Sequence, residues 1–202
     1  MKRESYGALS GASIPNAILR ASSTLRFAGN IGFWVQLVLG VVAALILLFA
    51  SASLVGGDGG ANNANQDPSF SQGSTFGVFC AAIGIVALIV SIFFFFRYKT
   101  ISRLMLVSDN ALRPKKSYTL QTIKFGLLAN LLGMMFAIIG AESFVGLVIG
   151  KALTIPQGAV FSNTSQLIQP KDLFIILANT HTIASHFTGI VVALWLLNQL
   201  NK

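Results

Sequence analysis

The sequence predicts an all-α membrane protein of four transmembrane helices with both termini on the cytoplasmic side. Three observations predict it. The 202-residue chain is 54% hydrophobic and only 10% charged, against about 25% charged residues in soluble domains. Four long windows hold almost no charge, and each is wide enough for the about 20 apolar residues that cross a hydrocarbon core of ~30 Å. The basic residues are segregated: eleven of the fourteen fall in the N-terminal segment and the central connection, the pattern that marks cytoplasmic loops.

The elements follow in order. Residues 1–31 read as a cytoplasmic N-terminal segment, and residues 32–202 as the transmembrane domain. Within the first, "IPNAILRASSTLRFAG" (14–29) opens on a proline and mixes apolar with basic residues. It is a candidate short interfacial helix. Arg26 and Asp58 then enclose a first span over about 32–55. The connection "GGDGGANNANQDPSFSQGS" (56–74) has no basic residue and is rich in Gly, Asn and Ser, so it reads as a flexible loop.

Asp67 and Arg97 enclose the second span, about 76–96. The central connection carries Arg97, Lys99, Arg103, Arg113, Lys115 and Lys116. These are expected to face anionic lipid; part of the segment is expected to extend span two as helix until Pro114 breaks it. Lys124 and Lys151 enclose the third span, about 125–150, interrupted by Glu142. Asp172 and Lys202 enclose the fourth, about 173–197. Trp34 and Trp195 fall near the basic face, where indole rings suit the interface.

Composition also excludes classes. The net charge of +8 is explained by topology, so no nucleic-acid partner is expected. A single cysteine, Cys80, allows neither an internal disulfide nor a cysteine metal cage. No Walker loop, nucleophile elbow or HExxH is present, so the chain is not expected to be an enzyme. The first 25 or so residues show no secretory signal and no transit peptide, as expected of a bacterial or organelle-encoded chain or a mature form.

Polar residues inside the spans concentrate on the third and fourth. In "AIIGAESFVGLVIG" (137–150) Glu142 stands in an otherwise uncharged run; an acid at membrane depth is costly and usually functional or paired. Glu142 lies nine residues from Lys151, and His181 nine from Asp172, which puts both about 13 Å below the same surface. A Glu142–His181 contact is therefore expected, with a protonated Glu142 as the alternative. His186 is five residues on, about 140° around the helix, and shares a face with Asn179 and Thr182. One metal between the two histidines is thus not expected. The candidate polar site is Glu142, His181, His186, Asn179, Met134 and Met135. It serves either as helix-packing glue or as a proton- or cation-handling site, and a lipid or pigment site is the third reading. Gly126, Gly133 and Gly140 recur every seven residues, and Gly146 and Gly150 form a GxxxG pair. Both sets are expected to pack helices closely, within the chain or between copies.

"GFWVQLVL" (32–39), "NLLGMMFAIIGAESFVGLVIGKALT" (130–154) and "ANTHTIASHFTGIVVALWLL" (178–197) together resemble one family. It is the chloroplast inner-envelope family described both as a component of the Tic translocon and as "permease in chloroplasts", with cyanobacterial homologues. The resemblance runs over about residues 20–200. It implies a multi-pass protein of a cyanobacterial plasma or thylakoid membrane. It implies iron, or another divalent metal such as manganese, as transported ion, or else a non-catalytic subunit of a translocon or photosynthetic complex. Partners would be membrane lipids and a homo-oligomer or larger complex. The resemblance further implies amides at the positions of Glu142 and His181 and a match at His186, which shifts weight within the candidate site toward His186.

Overall fold

Prolines punctuate the chain where helices begin. In the computed structural model, which describes residues 14–56, 68–154 and 170–201, four helices follow one another: α1 (Asn16–Gly56), α2 (Pro68–Leu104), α3 (Lys116–Thr154) and α4 (Pro170–Asn201). Pro15 precedes α1, Pro68 and Pro170 open α2 and α4, and Pro114 precedes α3. At a helix start the missing N–H costs nothing and the fixed φ already suits the helix. Between α2 and α3 a single 3-10 turn, Asn110–Leu112, is capped by Asp109, whose Oδ1 accepts from the Ala111 N–H at 2.8 Å.

All four helices are long and apolar enough to cross a membrane, and no strand occurs among the described residues. The protein is a multi-pass integral membrane protein. The helices, 32 to 41 residues long, outrun the 20 or so residues that the hydrocarbon needs. Their ends therefore stand out of the apolar slab. The expected spans all lie inside these helices. Residues 57–67, which hold most of the Gly/Asn-rich connection, and residues 1–13 lie outside the described residues.

The segment expected as a separate interfacial helix, 14–29, is instead the start of α1. No proline interrupts Asn16–Gly56. Ser22, Leu25 and Ala28 are buried, and the Ser22 hydroxyl donates to the Ser102 carbonyl at the end of α2 at 2.8 Å. This packing holds the segment along the bundle rather than flat on a membrane surface. α2 runs only to Leu104, so Arg97, Lys99 and Arg103 are helical, Arg113 and Lys115 sit in the connection, and Lys116 opens α3. Arg97 stacks over Tyr118 with its carbon 5.8 Å from the ring centre, and Lys99 reaches Asn30 Oδ1 at 3.3 Å.

The helices pack in ring order, each against its neighbours in sequence, with α4 closing onto α1. The first and last helices thus meet, and residues at the start of α1 and the end of α4 share one end of the bundle. Two apolar clusters fill the interior. One, at the basic end, gathers Leu25, Phe95, Tyr98, Ile101, Ile123 and Leu196. The other, toward the far end, gathers Leu47, Ala81, Phe144, Ile175 and Ala178. The outer surface is studded with large apolar side chains such as Phe49, Phe79, Ile89 and Leu153, as a lipid-facing surface requires.

Glycines set the spacing between helices. The place of a Cβ on Gly126 is taken by the Tyr98 hydroxyl, and that on Gly133 by the His186 ring. At Gly140 the α2 backbone comes within 3.1 Å of that position through Gly77 O. The seven-residue repeat is therefore an internal packing face. Gly146 and Gly150 differ: nothing lies within 4 Å of where their Cβ would be.

Candidate functional site

Between the two apolar clusters lies a layer of polar side chains, one or more from every helix. Gln36 of α1, Ser91 of α2, Asn130 of α3, and Ser185 and His186 of α4 are all at most 1% exposed. Gln36 is the hub. Its Nε2 donates to Asn130 Oδ1 at 2.7 Å and to the Ser185 carbonyl at 3.0 Å. Its Oε1 accepts from the Ser91 hydroxyl at 2.8 Å, and its backbone carbonyl accepts from the Ser185 hydroxyl at 3.4 Å. Asn130 Nδ2 donates back to the Gly126 carbonyl at 2.9 Å.

His186 completes the layer. Its Nδ1 lies 3.1 Å from Asn130 Oδ1, and its Nε2 lies 3.1 Å from the Gly84 carbonyl of α2. Two oxygen acceptors face one imidazole. A neutral ring has one N–H and completes one of these bonds; the doubly protonated ring completes both. Gly133 and Gly189 make the room: a Cβ on Gly133 would meet the His186 ring, and one on Gly189 would meet Asn130 and Gln36. In a bilayer core no water substitutes for a lost partner, so this wiring ties four helices to one register.

Asn179 and Thr182 are buried on the same face of α4 as His186, as the spacing predicts. Asn179 Nδ2 donates to the Ile175 carbonyl at 3.1 Å. Its Oδ1 is the buried side-chain atom without a hydrogen-bond partner among the described residues, and it stands 3.2 Å from where a Gly140 Cβ would be. Asn179 is thus a close-packing residue at the α3–α4 crossing.

The expected Glu142–His181 contact is not formed. Gly133 meets His186 and Gly140 meets Asn179, so the two antiparallel helices align with residue numbers summing to 319. Glu142 is then level with Leu177, and His181 sits about 6 Å deeper, one turn along. Equal residue counts from the two charged ends misjudged depth because the helices do not end at the same height. Direction matters as well. Each residue is two positions, about 200°, from the seam residues Gly140 and Asn179. Glu142 is exposed and His181 half-buried on the outside of the bundle, where His181 Nδ1 meets its own helix at the Leu177 carbonyl, 2.9 Å away. Met135, one heptad before Glu142, also faces outward, 46% exposed; Met134 is half-buried. Among the described residues, no group of three or more His, Cys, Asp or Glu side chains gathers in metal-binding geometry.

The polar side chains expected in one place therefore divide between a bonded layer inside the bundle and Glu142 and His181 on its outside. The inner layer depends on Gln36 and Ser91, which belong to the first and second spans, outside the third and fourth where the sequence concentrates its polar residues. Their signal was depth: Gln36, Ser91 and Asn130 each lie about one turn inside the basic end of their expected span.

Comparison with known proteins finds relatives along nearly the whole chain. Residues 15–201 match the family described as "Protein of unknown function (DUF3611)". The chain is 34% identical over 194 residues to "Protein TIC 21, chloroplastic" of Arabidopsis thaliana. That alignment covers 94% of this chain and 60% of the plant protein, so the chain spans less than two thirds of the relative's length. No solved structure matches.

Proposed function

The chain belongs to the DUF3611 family, and from that membership and its likeness to the plant TIC 21 protein we propose that it is a permease of the permease-in-chloroplasts type. It passes iron or a similar divalent metal across its membrane. The path runs between copies of the chain rather than through the bundle. Its plant relative is chloroplastic by name; a cyanobacterial plasma or thylakoid membrane is the corresponding location for this chain. The role is passage, not catalysis.

One observation carries this reading. Glu142 is exposed on the outer face of a membrane-spanning helix. A charge near the bilayer centre costs about 3 kcal/mol or more, and such residues face protein or water. A second copy laid against α3 supplies that shelter. The same face carries Met135 and Gly146, beside which an added Cβ would meet nothing within 4 Å, and half-buried His181 lies one turn deeper on α4. Carboxylate suits manganese and imidazole suits iron, so Glu142 and His181 from two or more copies make a donor set for such divalent ions.

The closed inner layer favours a second reading, a non-catalytic subunit or assembly factor of a larger translocon or photosynthetic complex. Each of its members is bonded inside the bundle, which suits a rigid scaffold.

Uptake of ferrous iron and manganese into proteoliposomes separates the two. The natural protein is compared with Glu142→Gln, His181→Ala and Gln36→Leu, each checked for an unchanged oligomer by size-exclusion chromatography. Flux lost in the first two supports the path between copies. No flux from the natural protein rules permeation out. Co-purification with larger partners in fixed stoichiometry after mild extraction would then establish the subunit role.

A further inference from the structure

The basic end of the bundle holds a cavity of about 920 Å³, near the upper end of the ligand-pocket range. It opens between the first turns of α1, the connection that leads into α3, and the last turn of α4. Three cations from separate segments border it: Arg20 of α1, Arg113 of the connection and Lys116 of α3. Between them the walls offer Ser23, Thr24 and Gln199 as hydrogen-bonding groups, while Ile18, Met105 and Leu200 are apolar.

We propose that this cavity binds an anionic phosphate-class group, carried by a lipid or free in solution, between Arg20, Arg113 and Lys116. Like charges gathered on one cavity repel and are stable together when an anion sits among them. Among the described residues, the carboxylate at this end is Asp109, and its Oδ1 is engaged by the Ala111 N–H. No side-chain hydrogen bond ties Arg20 or Lys116 to a protein acceptor among those residues. Arg113 is held differently. Its Nε donates to the Val107 carbonyl at 2.8 Å, which fixes the stem and leaves the two terminal nitrogens, the fork that matches phosphate oxygens.

Two helix N-termini add to the field. Ala17 lies in the first turn of α1, and Lys116 is the first residue of α3; both border the cavity. Unsatisfied N–H groups and the positive dipole end at such positions favour phosphate. The level also fits a headgroup. Gln199 and Leu200 on the wall are one turn beyond Trp195, whose indole packs edge-on against Phe27 at 6.4 Å, and tryptophans of this kind mark the membrane–water interface. The apolar wall would take the glycerol and upper acyl part of a lipid.

The test uses the full chain, purified in neutral detergent and stripped of lipid. Inorganic phosphate, phosphatidylglycerol and neutral phosphatidylcholine are added separately, and binding is read by native mass spectrometry and by the shift in Tm. Phosphatidylglycerol is expected to bind at one molecule per chain and to raise Tm by several degrees, while phosphatidylcholine does neither. The Arg20→Gln/Lys116→Gln double variant is expected to bind roughly tenfold more weakly, or worse, since two charge-assisted contacts are lost. Lys115→Gln, which does not border the cavity, is expected to bind like the natural protein. A Tm rise with millimolar inorganic phosphate, abolished in the double variant, identifies the free anion as ligand; a response confined to phosphatidylglycerol identifies the lipid. Equal binding of phosphatidylcholine, or undiminished binding by the double variant, overturns the proposal. Should the double variant fold poorly, Arg20→Gln alone, at an exposed position in the second turn of α1, gives the same reading.

Discussion

The interior of the bundle and the outer face of α3 treat polar groups in opposite ways. Inside, Gln36, Ser91, Asn130, Ser185 and His186 are buried and bonded to one another across helices. Outside, Glu142 is exposed one turn from Gly146, where an added Cβ would meet no atom within 4 Å. A polar residue in a membrane helix is thus no single signal. Where every partner is internal it fixes the fold; where partners are missing from the chain's own bundle it points to another molecule.

The sharpest way to break this comparison is to fill space in each region. Gly133→Leu would drive a side chain into the His186 ring. Loss of monodisperse folded protein on size exclusion is expected, while Gly146→Leu, which meets open space, leaves the isolated bundle intact. Equal damage from both would mean that the outer face is packed against the bundle after all.

His186→Ala comes next. It removes the ring that meets Asn130 Oδ1 and the Gly84 carbonyl, leaving Gln36 Nε2 as the donor to Asn130, and the loss of these two contacts should lower stability by about 1–3 kcal/mol, read from unfolding in mixed micelles with SDS. A double-mutant cycle of Gln36→Leu and Asn130→Leu refines this. The coupling is expected to be about 0.6–1.7 kcal/mol, the range found between membrane helices, and a value of zero would remove Gln36 as the hub. The smallest stability effect belongs to Glu142→Gln, expected within about 0.5 kcal/mol as for surface changes. Its signature should be in metal uptake instead. A strongly destabilised Glu142→Gln with normal uptake would reverse the assignment of the two regions.

Much of the fold was legible because lipid is a demanding solvent. Four windows with almost no charge read as helices, and all four lie within α1 to α4, whose starts the structure places at or just after Pro15, Pro68, Pro114 and Pro170. In the structure Gly126, Gly133 and Gly140 face Tyr98, His186 and the Gly77 backbone. His186, Asn179 and Thr182 are all buried on α4. The Glu142–His181 pair failed because residue counts give depth only when both helices end at one height, and rotation about the helix axis was left out. The hub at Gln36 was hidden because a lone amide has meaning only beside its partners on three other helices. The cavity at the basic end was hidden for a related reason: Arg20 is about ninety residues from Arg113 and Lys116 in sequence and joins them only because α1 continues unbroken past the expected span.

The polar layer also bears on how the chain is made. Helices enter a membrane in order of synthesis, and Gln36 comes first, long before its partners exist. Ser91 can meet it once α2 arrives and Asn130 once α3 does, but the Ser185 backbone and the His186 ring belong to the last helix. Up to that point Asn130 and the Gly84 carbonyl wait without the imidazole. Translation of α4 is therefore the step that seals the bundle, and a chain stopped short of residue 185 would carry open amides in lipid, a recognisable mark for membrane quality control.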